Sequence, residues 1–197
     1  WDPVGFDPNG FYTEWTSRYF GEKASPFVVN SLEVLNEAHT THAGYKEITA
    51  ASVATRDNLE GGKVVFYCDK IKTLKAIGLA EASLQTAIIA ASLVPEESRL
   101  VYDDQIVFPA TIYLDNIRFM KAIILYTEFL QSGIKNRAVY DNYAKNMKEA
   151  LMKMRSTLDQ GSKWKKWDGW TKCENFRVYT PPPKIEQVDK IIKKYSY

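Results

Sequence analysis

Two histidines three residues apart, in Glu37-Ala38-His39-Thr40-Thr41-His42, are the only imidazoles in the 197-residue chain. That spacing lets both rings share one face of a helix, with the Glu37 carboxylate close by. Two rings begin a metal site, but zinc wants a third and a fourth ligand, and the zinc-protease pair is spaced i,i+4. The same two rings are the only bases available to a conventional nucleophilic triad. The structural alternative is a pair of polar side chains near a helix end, where a protonated imidazole suits the helix dipole. The expectation from this spacing is no bound metal and no cofactor.

Carboxylates are plentiful, in Glu96-Glu97, Asp103-Asp104 and Asp115. Glycoside cleavage needs two of them held across one bond at a fixed separation, which neighbours in sequence do not provide. Adjacent acids such as Glu96-Glu97 read instead as partners of a helix N-terminal dipole. No Gly-x-Ser-x-Gly, P-loop or Gly-x-Gly-x-x-Gly occurs in the chain. No catalytic residue is therefore assigned.

The most unusual stretch is Gly161-Ser162-Lys163-Trp164-Lys165-Lys166-Trp167-Asp168-Gly169-Trp170, with tryptophans every third residue among lysines. Indole faces stack on sugar rings and on unpaired bases, and lysines add hydrogen bonds or phosphate contacts. Three readings stay open: a carbohydrate platform of Trp164, Trp167, Trp170 and Tyr179, a nucleic-acid platform, or aromatics that pack a connector against the fold. Twenty-six basic and 24 acidic residues leave a net charge of +2, which argues against a nucleic-acid partner. The balance is uneven along the chain. Residues 163–197 hold nine Lys or Arg against four Asp or Glu, so this end reads as a solvated tail first and as a surface for an acidic partner second.

Helical signals must position these groups. Asp7-Pro8 supplies a cap and a first helical residue, Phe11, Trp15 and Tyr19 follow at spacings of four, and Gly21 ends the segment. Ser25-Pro26 starts a second helix with Val28, Leu32 and Leu35 on its apolar face and Gly44 as a left-handed stop. Residues 55–62 read as a loop. A long apolar helix is predicted over 63–94, with Val64, Tyr67, Ile71, Leu74 and Gly78 on one face, continued by Leu84, Ile88 and Ala91. Its alanines and Gly78 permit close approach of a neighbour.

A second long pattern covers 102–131, and Pro109 inside it means that the helix begins or kinks there. Asn136 can cap a helix over 137–159, whose stripe is Tyr140, Tyr143, Met147, Leu151, Met154 and Leu158, with Gly161 after it. A connector over 162–183 and a short helix over 184–195 follow, and only 176–179 has the flavour of a strand. The fold class is all-α: an antiparallel helical bundle with an irregular Trp-rich connector and a short C-terminal helix. The chain reads as one domain, with N-terminal helices and a loop in 1–62, a long-helix core in 63–160 and the connector and terminal helix in 161–197.

Forty-five per cent hydrophobic and 25% charged residues are ordinary for a globular protein of this size, which buries about 70% of its unfolded surface. Cys68 and Cys173 are too few for a disulfide scaffold or a thiolate metal site and read as buried free thiols. No signal peptide and no uninterrupted apolar run of membrane-spanning length is evident, so no membrane partner is expected. The start at Trp1 without a methionine reads as a processed protein or a piece of a longer one.

Trp1-Asp2-Pro3, Phe11-Tyr12-Thr13-Glu14-Trp15 and Arg18-Tyr19-Phe20-Gly21-Glu22-Lys23-Ala24 resemble a passage in bacterial glycoside hydrolases of the α-glucuronidase type. There a helical C-terminal region follows the catalytic barrel. Asp103-Asp104-Gln105-Ile106-Val107-Phe108-Pro109, the helix after it and the Gly161 to Trp170 stretch look similar to the same region. The resemblance implies a non-catalytic accessory or scaffold domain of a secreted or periplasmic carbohydrate-active enzyme. The catalytic barrel domain, with its carboxylates, would precede Trp1 and be its main partner; a glycan contact and a homodimer are compatible with it. The runner-up is a stand-alone helical interaction protein whose basic C-terminal segment binds an acidic partner. A small helical enzyme built on His39 and His42 is the third reading.

Overall fold

The computed structural model describes residues 7–47, 69–161, 164, 189 and 193 (the backbone alone at 43–47). Among them the architecture is helical, with no strand. Helix α1 is Pro8–Phe20, α2 is Ser25–Glu47 and α3 is Lys70–Ala91. A short 3-10 turn, Glu96–Ser98, leads into α4, Arg99–Tyr102. A π-helical turn, Asp103–Val107, then joins α4 to α5, Phe108–Gln131, and α6 is Arg137–Gly161.

The caps follow local chemistry. The Asp7 carboxylate accepts the Asn9 N–H at 3.1 Å, and Pro8, which has no N–H to leave unpaired, opens α1. Gly21 closes it at φ 88°, a backbone angle that favours glycine, and its N–H reaches the Ser17 carbonyl. Asp69 caps α3 by accepting from Ile71 N–H at 2.7 Å and Lys72 N–H at 3.0 Å. Those backbone donors, Lys72 first and then Ile71, hold its carboxyl below the usual range. Asn136 caps α6 through the Val139 N–H at 3.2 Å.

One sequence expectation changes, and one open choice is resolved. Gly44 does not stop α2, which runs on to Glu47. A glycine ends a helix only when its backbone turns left-handed; kept helical, it costs about 1 kcal/mol, which the helix around it tolerates. Pro109 is the second residue of α5, so the helix begins there, the first of the two alternatives that the sequence left open. Lacking an N–H and crowding the carbonyl four residues back, it forces the preceding turn wider, and Phe108 N–H bonds the Asp103 carbonyl five residues earlier.

Extensive packing runs between successive long helices, α2 on α3, α3 on α5 and α5 on α6. Residue pairs show each contact to be antiparallel. Glu37–Lys75 and Ser31–Ser83 register α2 against α3, and Glu81–Arg118 and Lys70–Glu128 register α3 against α5. Asp115–Thr157 and Tyr126–Tyr140 do so for α5 and α6. The α2–α3 contact is made close by small residues. Ser31 Oγ donates to the Ser83 carbonyl at 2.9 Å and Ser83 Oγ returns a bond to the Ser31 carbonyl at 2.7 Å, both fully enclosed.

The face of α3 that turns inward is Thr73, Ala76, Ile77, Ala80, Ser83, Ala87 and Ala90. Ile71, Leu74 and Ile88, which hydropathy placed on the apolar face, are exposed instead, while Gly78 also lies outside. The helices meet too closely there for large side chains, so the alanines take the interface. Residues 63–68 lie outside the described residues. On α1 the exposed rings are Phe11, Tyr12 and Tyr19, Trp15 is half-buried, and Thr16 and Phe20 turn inward; Phe20 meets Tyr102 edge-on at 5.1 Å.

The largest core lies between α5 and α6. Phe119, Met120, Ile123 and Tyr126 interleave with the predicted α6 stripe, of which Tyr140, Met147, Leu151, Met154 and Leu158 are all buried. At its end Gly161 sits against the Phe108 ring, where a Cβ would meet ring atoms at 2.2 and 2.4 Å. Helix propensity alone favours Gly161→Ala by about 1 kcal/mol. The buried Phe108 ring is held by Trp164 on another side and has little room to retreat. Overpacking, which costs about 1–3 kcal/mol, should therefore win. Urea denaturation is expected to show Gly161→Ala less stable than the parent by about 1 kcal/mol; an unchanged or raised midpoint would contradict this contact.

Candidate functional site

Of the proposed carbohydrate platform, only Trp164 falls among the described residues; Trp167, Trp170 and Tyr179 lie outside them, as do Cys68 and Cys173. The Trp164 N–H bonds back to the Gly161 carbonyl at 3.0 Å, one turn past the end of α6. Its ring lies 5.3 Å from that of Phe108 at 55° and packs on the α5–α6 core, half-buried. The first indole of the Trp/Lys stretch is thus anchored to the bundle. Farther along, the Asp189 carboxylate accepts from Lys148 Nζ at 2.8 Å, which brings that residue against the outside of α6.

His39 and His42 lie on α2 as the spacing requires, but their surroundings differ. The His39 ring stacks on Tyr113 of α5, with centroids 3.8 Å apart and planes at 29°. His42 is 2% exposed, and among the described residues neither ring nitrogen has a hydrogen-bond partner. Burial lowers the pKa of both rings, that of His42 to about 4 with a further push from His39, so both are neutral at pH 7. Glu37 does not join them. It is exposed and pairs with Lys75 at 3.6 Å. Among the described residues no group of three or more His, Cys, Asp or Glu side chains could hold a metal ion.

The acidic candidates separate in the same way. Glu96 and Glu97 are exposed in the first turn of the 3-10 helix after Pro95, the position that suits dipole partners. Asp103 and Asp104 are half-buried in the π turn. Asp115 is the only buried carboxylate among the described residues. It accepts a 2.6 Å bond from Thr157 Oγ1 of α6, and Arg118 Nη1 stands 3.9 Å away, one turn on. Arg118 reaches in turn to Glu81 of α3 at 2.8 Å. Glu81, Arg118, Asp115 and Thr157 therefore tie three helices together.

Sequence reading missed this chain of contacts. The one local signal was the i,i+3 spacing of Asp115 and Arg118; Glu81 and Thr157 are brought in only by helix register. Other buried polar groups are also committed to holding helices together. Tyr102 donates to the Ala87 carbonyl at 2.7 Å, and burial pushes its phenol well above the ordinary range. The Tyr126 and Tyr140 hydroxyls meet at 3.2 Å. Chemically, these groups hold protons and positions; the guanidinium of Arg118 occupies the space between the two carboxylates it serves.

One helix bears on the membrane expectation. Lys70–Ala91 is long and apolar enough to cross a bilayer by length and composition, although Lys75 and Glu81 interrupt its apolar run. Its alanine face is nonetheless packed on α2 and α5. Compared with family models, curated proteins and solved structures, the chain matches none.

Proposed function

We propose that the chain is a non-catalytic helical scaffold of a secreted or periplasmic carbohydrate-active enzyme, seated against a catalytic barrel and offering aromatic side chains to a glycan. The observation that carries this reading is the state of Asp115. Glycoside cleavage requires an acid and a second carboxylate facing one bond. Here the one buried carboxylate among the described residues is occupied by Thr157 and by an arginine that it shares with Glu81. The likeness to the helical region of α-glucuronidases supports the same assignment. In this role Trp164 roots the Trp/Lys stretch on Phe108, and Trp167, Trp170 and Tyr179 supply the rings for sugar.

Titration of the full chain with glucuronate-bearing xylo-oligosaccharides tests the proposal. Tryptophan fluorescence should change on binding, and the change should persist in high salt because ring stacking carries it. Trp167→Ala and Trp170→Ala are each expected to weaken binding about tenfold, the order of one lost stacking contact. No fluorescence response to any such sugar would remove the glycan role. Binding to a polyanion that falls steeply with salt would favour the acidic-partner reading instead.

A further inference from the structure

Helix α2 is seated on its neighbours by two different kinds of contact. Around its first half the contacts are apolar groups and hydroxyls. Ala24 and Val28 pack with Phe20, Ala87 and Ala90, and Ser31 and Ser83 exchange hydrogen bonds at 2.9 and 2.7 Å. None of these groups changes charge between about pH 7 and 4. The second half is built differently. Ala38 packs with Ala76, Ile77, Ala80 and Tyr113, but beside it stand His39, stacked on Tyr113, and His42, enclosed with neither nitrogen partnered among the described residues. An enclosed imidazole without a partner is tolerated neutral and is costly once charged.

We propose that acid releases the C-terminal half of α2, residues 36–47, from α3 and α5 while the Ser31–Ser83 contact stays closed. In the released form the His42 ring meets water and takes up a proton that the seated form refuses. The charged groups around the seat leave that proton without another home. On α2 itself, Glu37 pairs with Lys75 at the surface, and a protonated His39 one turn away opposes a charge on His42. The Ser31–Ser83 and Glu37–Lys75 pairs register His42 against the first turn of α3. There the Asp69 carboxylate is committed to the Ile71 and Lys72 N–H groups, and Lys70 to Glu128 of α5. Lys72 is exposed and, like Lys75, repels an imidazolium. On α5, Tyr113 faces His39, and Asp115 is held by Thr157. Helix α1 meets the other end of α2, at Ser25. Release uncovers Ala76, Ile77, Ala80 and Tyr113, so acid presents an apolar face that the chain hides at neutral pH.

Amide hydrogen exchange of the full chain, read by mass spectrometry and corrected for the intrinsic rate at each pH, tests the release. The ring titrates near 6.5 when open and at about 4 when enclosed. Residues 39–47 should therefore lose about fiftyfold in protection between pH 7 and 4.5, and His42→Leu should keep most of it. At pH 4.5 they should also be about tenfold or more less protected than residues 28–34, which open only with the whole bundle. Low urea separates the two events, because its effect scales with the surface exposed. It should lower the protection of 28–34 and scarcely move that of 39–47. The parent's pH profile and urea response decide the matter even if the His42→Leu chain does not fold. The proposal is overturned if 39–47 and 28–34 exchange together and respond alike to urea, which is global unfolding. An undiminished acid loss in a folded His42→Leu chain, or no acid loss in the parent, overturns it equally.

Discussion

Lowering the pH from 7 to 4 is expected to remove on the order of 3 kcal/mol of folding stability through His42, and His42→Leu should abolish most of that loss. The folded chain encloses the ring, no described residue offers either nitrogen a partner, and desolvation, followed by the nearby His39, lowers its pKa to about 4. In the unfolded chain the same ring titrates near 6.5. At pH 7 it is neutral in the folded chain and about three-quarters neutral in the unfolded one, so it contributes little to the pH slope. Between about 6.5 and 4 the unfolded chain binds a proton that the folded chain refuses, so stability falls by about 1.4 kcal/mol per pH unit. Below pH 4 both states are protonated and this loss stops growing. The lowered pKa of His39 acts in the same direction.

Urea denaturation of the parent and of His42→Leu at several pH values between 4 and 7.5 separates this term from the carboxylates, which both chains share. At pH 7 His42→Leu should be the more stable of the two by about 1–2 kcal/mol, because it removes two buried nitrogens that have no partner while keeping the volume. Parallel pH profiles for the two proteins would show that His42 does not titrate as its enclosure requires. A drop in stability of the variant at pH 7 would mean that the ring has a partner in the folded chain.

The histidines show which part of the site was legible. Their spacing put both on one helix, but the stacking of His39 on Tyr113 depends on how α2 lies along α5, 74 residues away in sequence. Glu37, close by in sequence, points instead to Lys75. Likewise, nothing near Asp115 announced Thr157, which only the antiparallel register of α5 and α6 supplies. Helix limits were more readable, because Asp7, Pro8, Gly21 and Asn136 act within a turn of where they stand. Gly44 misled because glycine permits a stop without requiring one.

The second expected result exploits the helix that composition described least well. On α6, apolar residues alternate with charged ones, so periodicity alone identifies the inward stripe, and Leu151 on it is fully enclosed between Met147, Met154 and the side chains of α5. On α3 nearly every position is apolar or small, so periodicity has little contrast, and the choice of inward face falls to packing distance. Leu151→Ala should therefore cost about 2–5 kcal/mol, the transfer of the lost methyl groups together with the cavity they leave. Ile88→Ala removes a comparable side chain from a position half in water and should change stability by less than about 0.5 kcal/mol. Ala87→Leu, one residue earlier and fully enclosed, should cost about 1–3 kcal/mol although it makes α3 more hydrophobic. Chemical denaturation of the three variants at low protein concentration reads all of these values. If Ile88→Ala cost as much as Leu151→Ala while Ala87→Leu were neutral, α3 would be rotated about its axis from the position described. The alanine face would then be outermost, and the reciprocal Ser31–Ser83 bonds could not form.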